Sequence, residues 1–239
     1  MKRIFPLAFI TAALTITVSA NTGLPADKNA ETIAVTTAMD NHHALYETLS
    51  LQGTVDYAAF EQAITGFEQI KDKTKNILVL VDYSKPSTQE RFFVIDLENK
   101  KILYRSLVAH GRGSGDNYAT SFSNVPGSHK SSLGFYLTAN TYQGRNGYSL
   151  RLKGLEQGIN DKAMERAIVI HGADYCDRSF ISSAGRLGRS FGCPSLPKEI
   201  NDEVIDVIKE GAVLFIYAAD KQYCNTSPIL SRSSSLAMK

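Results

Sequence analysis

The sequence predicts an α+β fold, mainly β, with a helical segment ahead of the sheet and a helix behind a Gly-rich turn. Three observations carry this. Between residues 76 and 104 the apolar residues come in short β-branched and aromatic blocks rather than at helical steps. Ahead of them Tyr57, Phe60, Ile64 and Phe67 recur at three- and four-residue steps and make one apolar stripe. Behind the turn Ile200, Val204, Ile205 and Ile208 repeat that spacing, between Pro197, which suits a helix start, and Gly211, which suits a helix end.

Residues 1–20 read as a secretory signal peptide. Met1-Lys2-Arg3 is basic, 4–18 is mostly apolar, and Val18-Ser19-Ala20 ends in small residues, with cleavage expected after Ala20. The apolar run is shorter than the roughly 20 residues that span a bilayer. Residues 21–42, rich in Ala, Thr, Asn and Asp without a clear period, are expected to be a flexible lead-in. Helical patterns cover 43–51 and 56–70, so 43–74 is expected to pack on the main domain. Strands are expected at 77–81, 92–95 and 102–104, with Glu98-Asn99-Lys100-Lys101 as the hairpin turn between the last two. Further strands are expected at 134–139, 149–152, 167–170 and 213–217. Residues 75–220 make one domain, and the tail 221–239, Ser-rich beyond Asn225, is expected to be disordered.

Composition narrows the function class. The formal net charge is +2, and two of the 26 basic residues, Lys2 and Arg3, lie in the expected signal, which holds no acid. The remaining 24 basic residues equal the 24 acidic ones, which leaves no basic footprint for nucleic acid. No stretch after the signal is long and apolar enough to suggest a membrane span. The three cysteines are an odd number for an exported chain, so at least one stays unpaired within it. A Cys176–Cys224 bridge would leave Cys193 free. Pairing Cys193 with either would block it, and spacing does not choose among these or an unbridged chain.

Cys193 sits in Gly188-Arg189-Ser190-Phe191-Gly192-Cys193-Pro194, downstream of Ile168-Val169-Ile170-His171-Gly172. Cysteine hydrolases and acyltransferases need such a thiol and imidazole: the imidazole takes the proton and the thiolate attacks a carbonyl. The glycine beside the Cys permits close backbone approach, and N–H groups there can face an oxyanion. Arg186 and Arg189, in the turn before Cys193, are either surface charges or a bidentate grip on a substrate carboxylate. His110-Gly111-Arg112-Gly113-Ser114-Gly115 imitates a phosphate loop but leads into a polar, aperiodic stretch instead of a helix, so a loop bordering a cleft is the expectation. His110 is either a second site imidazole or structural. His129 falls in a polar loop and is expected to be solvated. His42-His43 precedes a helical pattern with no Cys at ligand spacing, and scattered histidines without His-x-x-x-His argue against a metal site.

Taken in order, Ser132-Leu133-Gly134-Phe135-Tyr136, Ile170-His171-Gly172 and Gly188-Arg189-Ser190-Phe191-Gly192-Cys193-Pro194 resemble the exported murein L,D-transpeptidases of the YkuD type, in particular their second branch. Ala109-His110-Gly111-Arg112 and Gly147-Tyr148-Ser149-Leu150-Arg151-Leu152 extend the resemblance, which runs over about 45–218. His171, Gly172, Ser190, Gly192 and Cys193 match the family's His-Gly and its later Ser-x-Gly-Cys. Phe191 stands where the common branch has a basic residue or His. Pro194 and Ser195 stand where it has an aliphatic residue and an Arg that helps seat substrate.

The resemblance implies an L,D-transpeptidase-type β-sandwich or barrel-like core with the nucleophile on a turn leading into a helix. It implies acyl transfer on peptidoglycan stem peptides in the periplasm or cell envelope, through a Cys193 thioester, with His171 as base and then acid. Ser190 and Gly192 complete the catalytic motif, and N–H groups near Gly192 and Cys193 would hold the oxyanion. Arg189, Arg186, Gly172 and Asp174 are the candidate substrate contacts. A backbone carbonyl or Asp174 would orient His171. No metal or organic cofactor is implied. An amine would resolve the thioester as a cross-link, and water would make the chain an L,D-carboxypeptidase. A wall-binding protein without turnover and a general cysteine peptidase are the other classes.

Overall fold

The central strands are those whose residues are apolar on both faces. The computed structural model describes residues 28–231, and the expected signal peptide lies outside them. In chain order come α1 (Lys28–Thr48), α2 (Tyr57–Gln69), β1 (Ile77–Asp82), β2 (Phe92–Asp96) and β3 (Lys101–Ser106). After a long loop follow β4 (Gly134–Gly144), β5 (Gly147–Gly154), β6 (Val169–Gly172) and α3 (Arg178–Ala184). The chain then forms β7 (Ser195–Leu196), α4 (Lys198–Ile208), β8 (Val213–Tyr217) and α5 (Lys221–Thr226).

The eight strands form one sheet in the order β3-β2-β1-β8-β4-β5-β6-β7. β1 and β8 pair in parallel, Leu78 opposite Val213 through Asp82 opposite Tyr217, and β8 is buried along its whole length. A parallel pair covered on both faces requires such continuous apolar runs. β6 and β7 are also parallel, with His171 opposite Ser195. The remaining pairs are antiparallel. The register of β4 against β5 shifts between Thr138 and Thr141, a bulge that bends the long hairpin. Beyond β3, Ala109 N–H donates to Ser195 O at 2.9 Å, so the segment after one edge strand meets the other edge strand and the sheet curls toward a barrel.

Helices cover the sheet as the stripes require. The Asp56 carboxylate caps α2 by accepting from Ala58 N–H at 2.7 Å, and Phe60, Ile64 and Phe67 are buried. Gly66 lets α2 lie flush on the sheet: a Cβ there would sit 2.0 Å from Cζ of Phe135. On α4, Val204, Ile205 and Ile208 are buried, as their spacing predicts. The expected strand at 167–170 starts later, at Val169, because Ala167 has φ 53° and closes a turn through Ile168 N–H to Ala163 O.

Two expectations are corrected. Of the expected flexible lead-in, 28–42 form part of α1 and 21–27 lie outside the described residues; His42 is buried between Glu61 and Glu68 of α2, at 3.0 and 3.1 Å. Of the expected disordered tail, 221–231 form α5 and a packed segment, and 232–239 lie outside the described residues. Tyr223, Ile229 and Leu230 are buried there, and the Tyr223 and Ser227 hydroxyls donate to the buried Glu156 carboxylate. Both contacts are to residues far away in sequence, which local composition does not report. All three cysteines are free. Cys176 is buried and donates to Ser195 O at 2.9 Å, while Cys224 faces Gln62 of α2, so the bridge between them does not form.

Candidate active site

The turn that carries Cys193 is held by its own short polar residues. Ser190 Oγ accepts from Gly192 N–H at 3.0 Å and donates to Cys193 O at 2.6 Å, closing a tight loop around Phe191. Ser190 N–H donates to His110 O at 2.9 Å, and Arg112 N–H to Ser190 O at 2.8 Å, which ties the turn to the Gly-rich segment at 110–112. Gly192 has φ 127°, and a Cβ there would press on Ile168 at 2.8 Å and Lys130 O at 2.9 Å. Only glycine fits. Its N–H donates to Ser190 Oγ.

The Cys193 thiol is half-buried. Its sulfur accepts from Val169 N–H at 3.5 Å and lies 3.6 Å from Ala167 O. Among the described residues these are its hydrogen-bond partners, and His171 is not one of them. His171, on β6, donates from Nδ1 to the carbonyl of Gly172 at 3.0 Å, and its Nε2 lies 3.0 Å from Ser195 Oγ. Ser195 Oγ in turn lies 3.0 Å from the Tyr175 hydroxyl. The group bonded to Nδ1 is therefore a backbone carbonyl. Asp174 is exposed and ion-paired with Lys198 at 2.7 Å. Burial lowers the pKa of His171, opposed by the Gly172 bond, and raises that of Cys193, opposed by Val169 N–H and the Arg166 cation. Both shifts favour a neutral thiol beside a neutral imidazole.

Cys193 and His171 line one open cleft of about 690 Å³. Its wall carries Arg145, Arg166, Arg189 and Lys198 against a single carboxylate, Asp174. Gly172 and Asp174 are in the wall, as is Arg189. Arg186 is not. Its Nε is held by Asp116 at 2.6 Å, and Arg189 shares that carboxylate at 3.3 Å while donating to Gly115 O at 2.8 Å. The sequence pointed to neither Arg166 nor Tyr175. Arg166 donates to Ser123 O, Lys130 O and the Ser132 hydroxyl, pinning the 123–132 loop beside Cys193. No local spacing announces it, because all its partners are more than 30 residues away. His110 is fully buried and its Nδ1 accepts from the Arg91 guanidinium at 2.8 Å. Burial, with help from that cation, pushes its pKa down to about 3, so its role is structural. His129 is half-buried: Arg112 donates to its Nδ1, and its ring lies against that of Phe191, with centroids 4.7 Å apart.

The YkuD_2 L,D-transpeptidase catalytic domain model matches residues 51–217. The chain belongs to that family. In this transpeptidase-family chain the matched span begins just ahead of α2 and ends with β8, so it takes in the whole sheet and the cleft. Solved chains that it resembles include an L,D-transpeptidase from Mycobacterium smegmatis, 13% identical over 60% of this chain and 59% of that one, with TM-score 0.36. A helical cell shape determining protein, Pgp2 (K307A mutant), from Campylobacter jejuni is 16% identical over 74% and 60%, with TM-score 0.41. An L,D-transpeptidase from Stackebrandtia nassauensis is 11% identical over 75% and 77%, with TM-score 0.37. The chain thus spans about three fifths of the length of the first two. No curated protein matches the sequence at a significant level.

Proposed function

We propose that this chain is an exported cysteine acyltransferase that acts on peptidoglycan stem peptides. Cys193 attacks the carbonyl of the L-to-D bond beside the stem's diamino acid, and the terminal D-Ala leaves. An amine of a second stem, or water, then releases the thioester. The observation that carries this reading is the meeting, in one cation-walled cleft, of a thiol and an imidazole aligned by a backbone carbonyl. With Lys198 paired to Asp174 and Arg189 to Asp116, Arg145 and Arg166 leave the wall with excess positive charge, which suits a donor that carries free carboxylates. The thiol rests near Ala167 O, so acylation includes a step in which it turns toward the imidazole and the hydroxyls bonded to it as substrate arrives; catalytic hydrogen bonds often tighten only in the complex. Val169 N–H and the Cys193 N–H are the backbone donors nearest the sulfur and the candidates to hold the oxyanion.

Incubation with a purified disaccharide-tetrapeptide, read by mass spectrometry, tests the reading. An acyl-enzyme on Cys193 with release of D-Ala is expected, and the product ratio separates amine from water as acceptor. An intact donor and an unmodified protein would reduce the chain to a wall-binding role. Cleavage of ordinary L,L-peptides would make it a general cysteine peptidase. Export is checked by the N-terminal sequence of the protein in the envelope fraction, which should begin after Ala20.

A further inference from the structure

The position that follows Cys193-Pro194 carries a hydroxyl, and its surroundings determine which way that hydroxyl points. Nδ1 of His171 faces a carbonyl, which only accepts, so the ring proton is on Nδ1 and Nε2 of the neutral imidazole holds a lone pair. The Ser195 hydroxyl, 3.0 Å from Nε2, therefore donates to it. Having given its proton, Ser195 Oγ must accept from Tyr175, 3.0 Å away. The chain runs in one direction: Tyr175 to Ser195 to His171 to the Gly172 carbonyl. Ser195 is fully buried, so no solvent competes for it, whereas Tyr175 lies in the cleft wall. The main chain holds both ends. Ser195 O accepts from Ala109 N–H and from Cys176, and Tyr175 O accepts from Gly188 N–H at 2.8 Å. A Cβ on Gly188 would lie 2.2 Å from Cβ of Tyr175, so the glycine makes room for that side chain.

We propose that Ser195 and Tyr175 form a two-hydroxyl relay that fixes the basic tautomer of His171 and returns its proton to the cleft. The inference rests on the acyl-transfer reading above. The single lone pair of Nε2 faces Ser195, so the thiol proton enters through the chain: the Tyr175 oxygen takes it and passes its own proton to Ser195, and Ser195 passes its own to Nε2. The imidazolium then donates to Ser195 Oγ, Ser195 to the Tyr175 oxygen, and the Tyr175 proton points into the cleft. As the donor peptide bond breaks, the departing nitrogen takes that proton. Each oxygen gains one proton and loses one, Nε2 returns to its lone pair, and the net transfer is from imidazolium to leaving amine. A hydroxyl can serve both states because it donates and accepts, whereas a guanidinium at this place could only donate. Ser195 is a positioning residue, acting through His171.

Histidine-labelled NMR of the full chain tests this without requiring turnover. In the wild type at high pH, His171 should carry its proton on Nδ1 and none on Nε2. Ser195→Ala and Tyr175→Phe should lower the pKa of His171, because the bond lost to the imidazolium is charge-assisted and stronger than the one lost to the neutral ring. Ser195→Thr, which keeps the hydroxyl, should restore it. With the tetrapeptide donor, Ser195→Ala should lower kcat by about 10²-fold with KM little changed, and Ser195→Thr should recover most of the loss. Tyr175→Phe removes one hydroxyl at the cleft and serves should Ser195→Ala fail to fold. A proton on Nε2 in the wild type, or a Tyr175→Phe variant with wild-type titration and kcat, would overturn the relay. Loss of turnover in every form, the wild type included, would instead strike the acyl-transfer reading and leave the tautomer result standing.

Discussion

Cys193 and His171 are each shifted away from ionising. A thiolate–imidazolium pair would need the thiol pKa below its ordinary value and the imidazole pKa above it; burial moves both the opposite way. Alkylation of Cys193 by a small neutral reagent should therefore keep accelerating above pH 9. A rate that levels off in the acid range would show an ion pair. Cys193→Ala should abolish turnover and leave the fold intact, because no other residue in the cleft can form the thioester. His171→Ala should slow acylation by about 10²–10⁴-fold. Since the free thiol touches Val169 and Ala167 rather than the imidazole, that variant should alkylate nearly as the wild type does. Arg166→Met should push the thiol pKa higher still, by removing the cation that favours the thiolate. It should also loosen the 123–132 loop, which Arg166 pins, and faster amide exchange there would report this.

Among the elements, α1 and α2 show how side chains set helix docking. His42 joins them, and its pKa is raised chiefly by the hydrogen bond to Glu68, with Glu61 adding to it and burial opposing. A pKa raised above the unfolded value near 6.5 means that this contact contributes fully below that pH. The contribution is then lost as pH rises through the folded value. Glu68 is more than half exposed, so the contact is worth on the order of 1 kcal/mol. The difference in Tm between wild type and His42→Gln should shrink from pH 5.5 to pH 8.5, and a constant difference would remove the charge from the account. Gly66 in α2 sets two effects against each other. Helix propensity favours Ala over Gly by about 1 kcal/mol. The clash with the fully buried Phe135 costs about 1–3 kcal/mol, as overpacking does, so Gly66→Ala should destabilise the protein in urea denaturation.

On the scale of the whole molecule, the C-terminal segment closes the fold over a buried acid. The Glu156 carboxylate accepts from Phe135 N–H at 2.7 Å and from the Tyr223 and Ser227 hydroxyls, so it joins β4, the loop after β5 and the tail. Burial is the main reason its pKa is raised, and stripping its donors leaves the group unsatisfied. Such a group costs about 1–3 kcal/mol, and more when charged. The double variant Tyr223→Phe, Ser227→Ala should lower Tm by several degrees, at roughly 2–4 °C per kcal/mol for a chain of this size. An unchanged Tm would mean that the tail is only a cover.

The amino-acid order by itself determined the helical stripes, the apolar strand runs, the hairpin at Glu98-Asn99-Lys100-Lys101 and the turn that presents Cys193. These depend on periodicity and on backbone preferences over a few residues, which are local properties. It also determined the family, since the catalytic domain model matches residues 51–217 of the sequence. Tertiary structure decided the remainder. The helix at Lys28–Thr48 and the packed tail owe their order to α2 and to Glu156, partners across the chain that composition does not display. Arg166 reaches the 123–132 loop beside Cys193, and Arg186 is drawn away to Asp116, through loops whose paths no spacing encodes. The partners of His171 were settled by the parallel pairing of β6 with β7, which sets Ser195 opposite it. A hydrogen bond of 3 Å is chosen by register and burial, and both exist only once the sheet has closed.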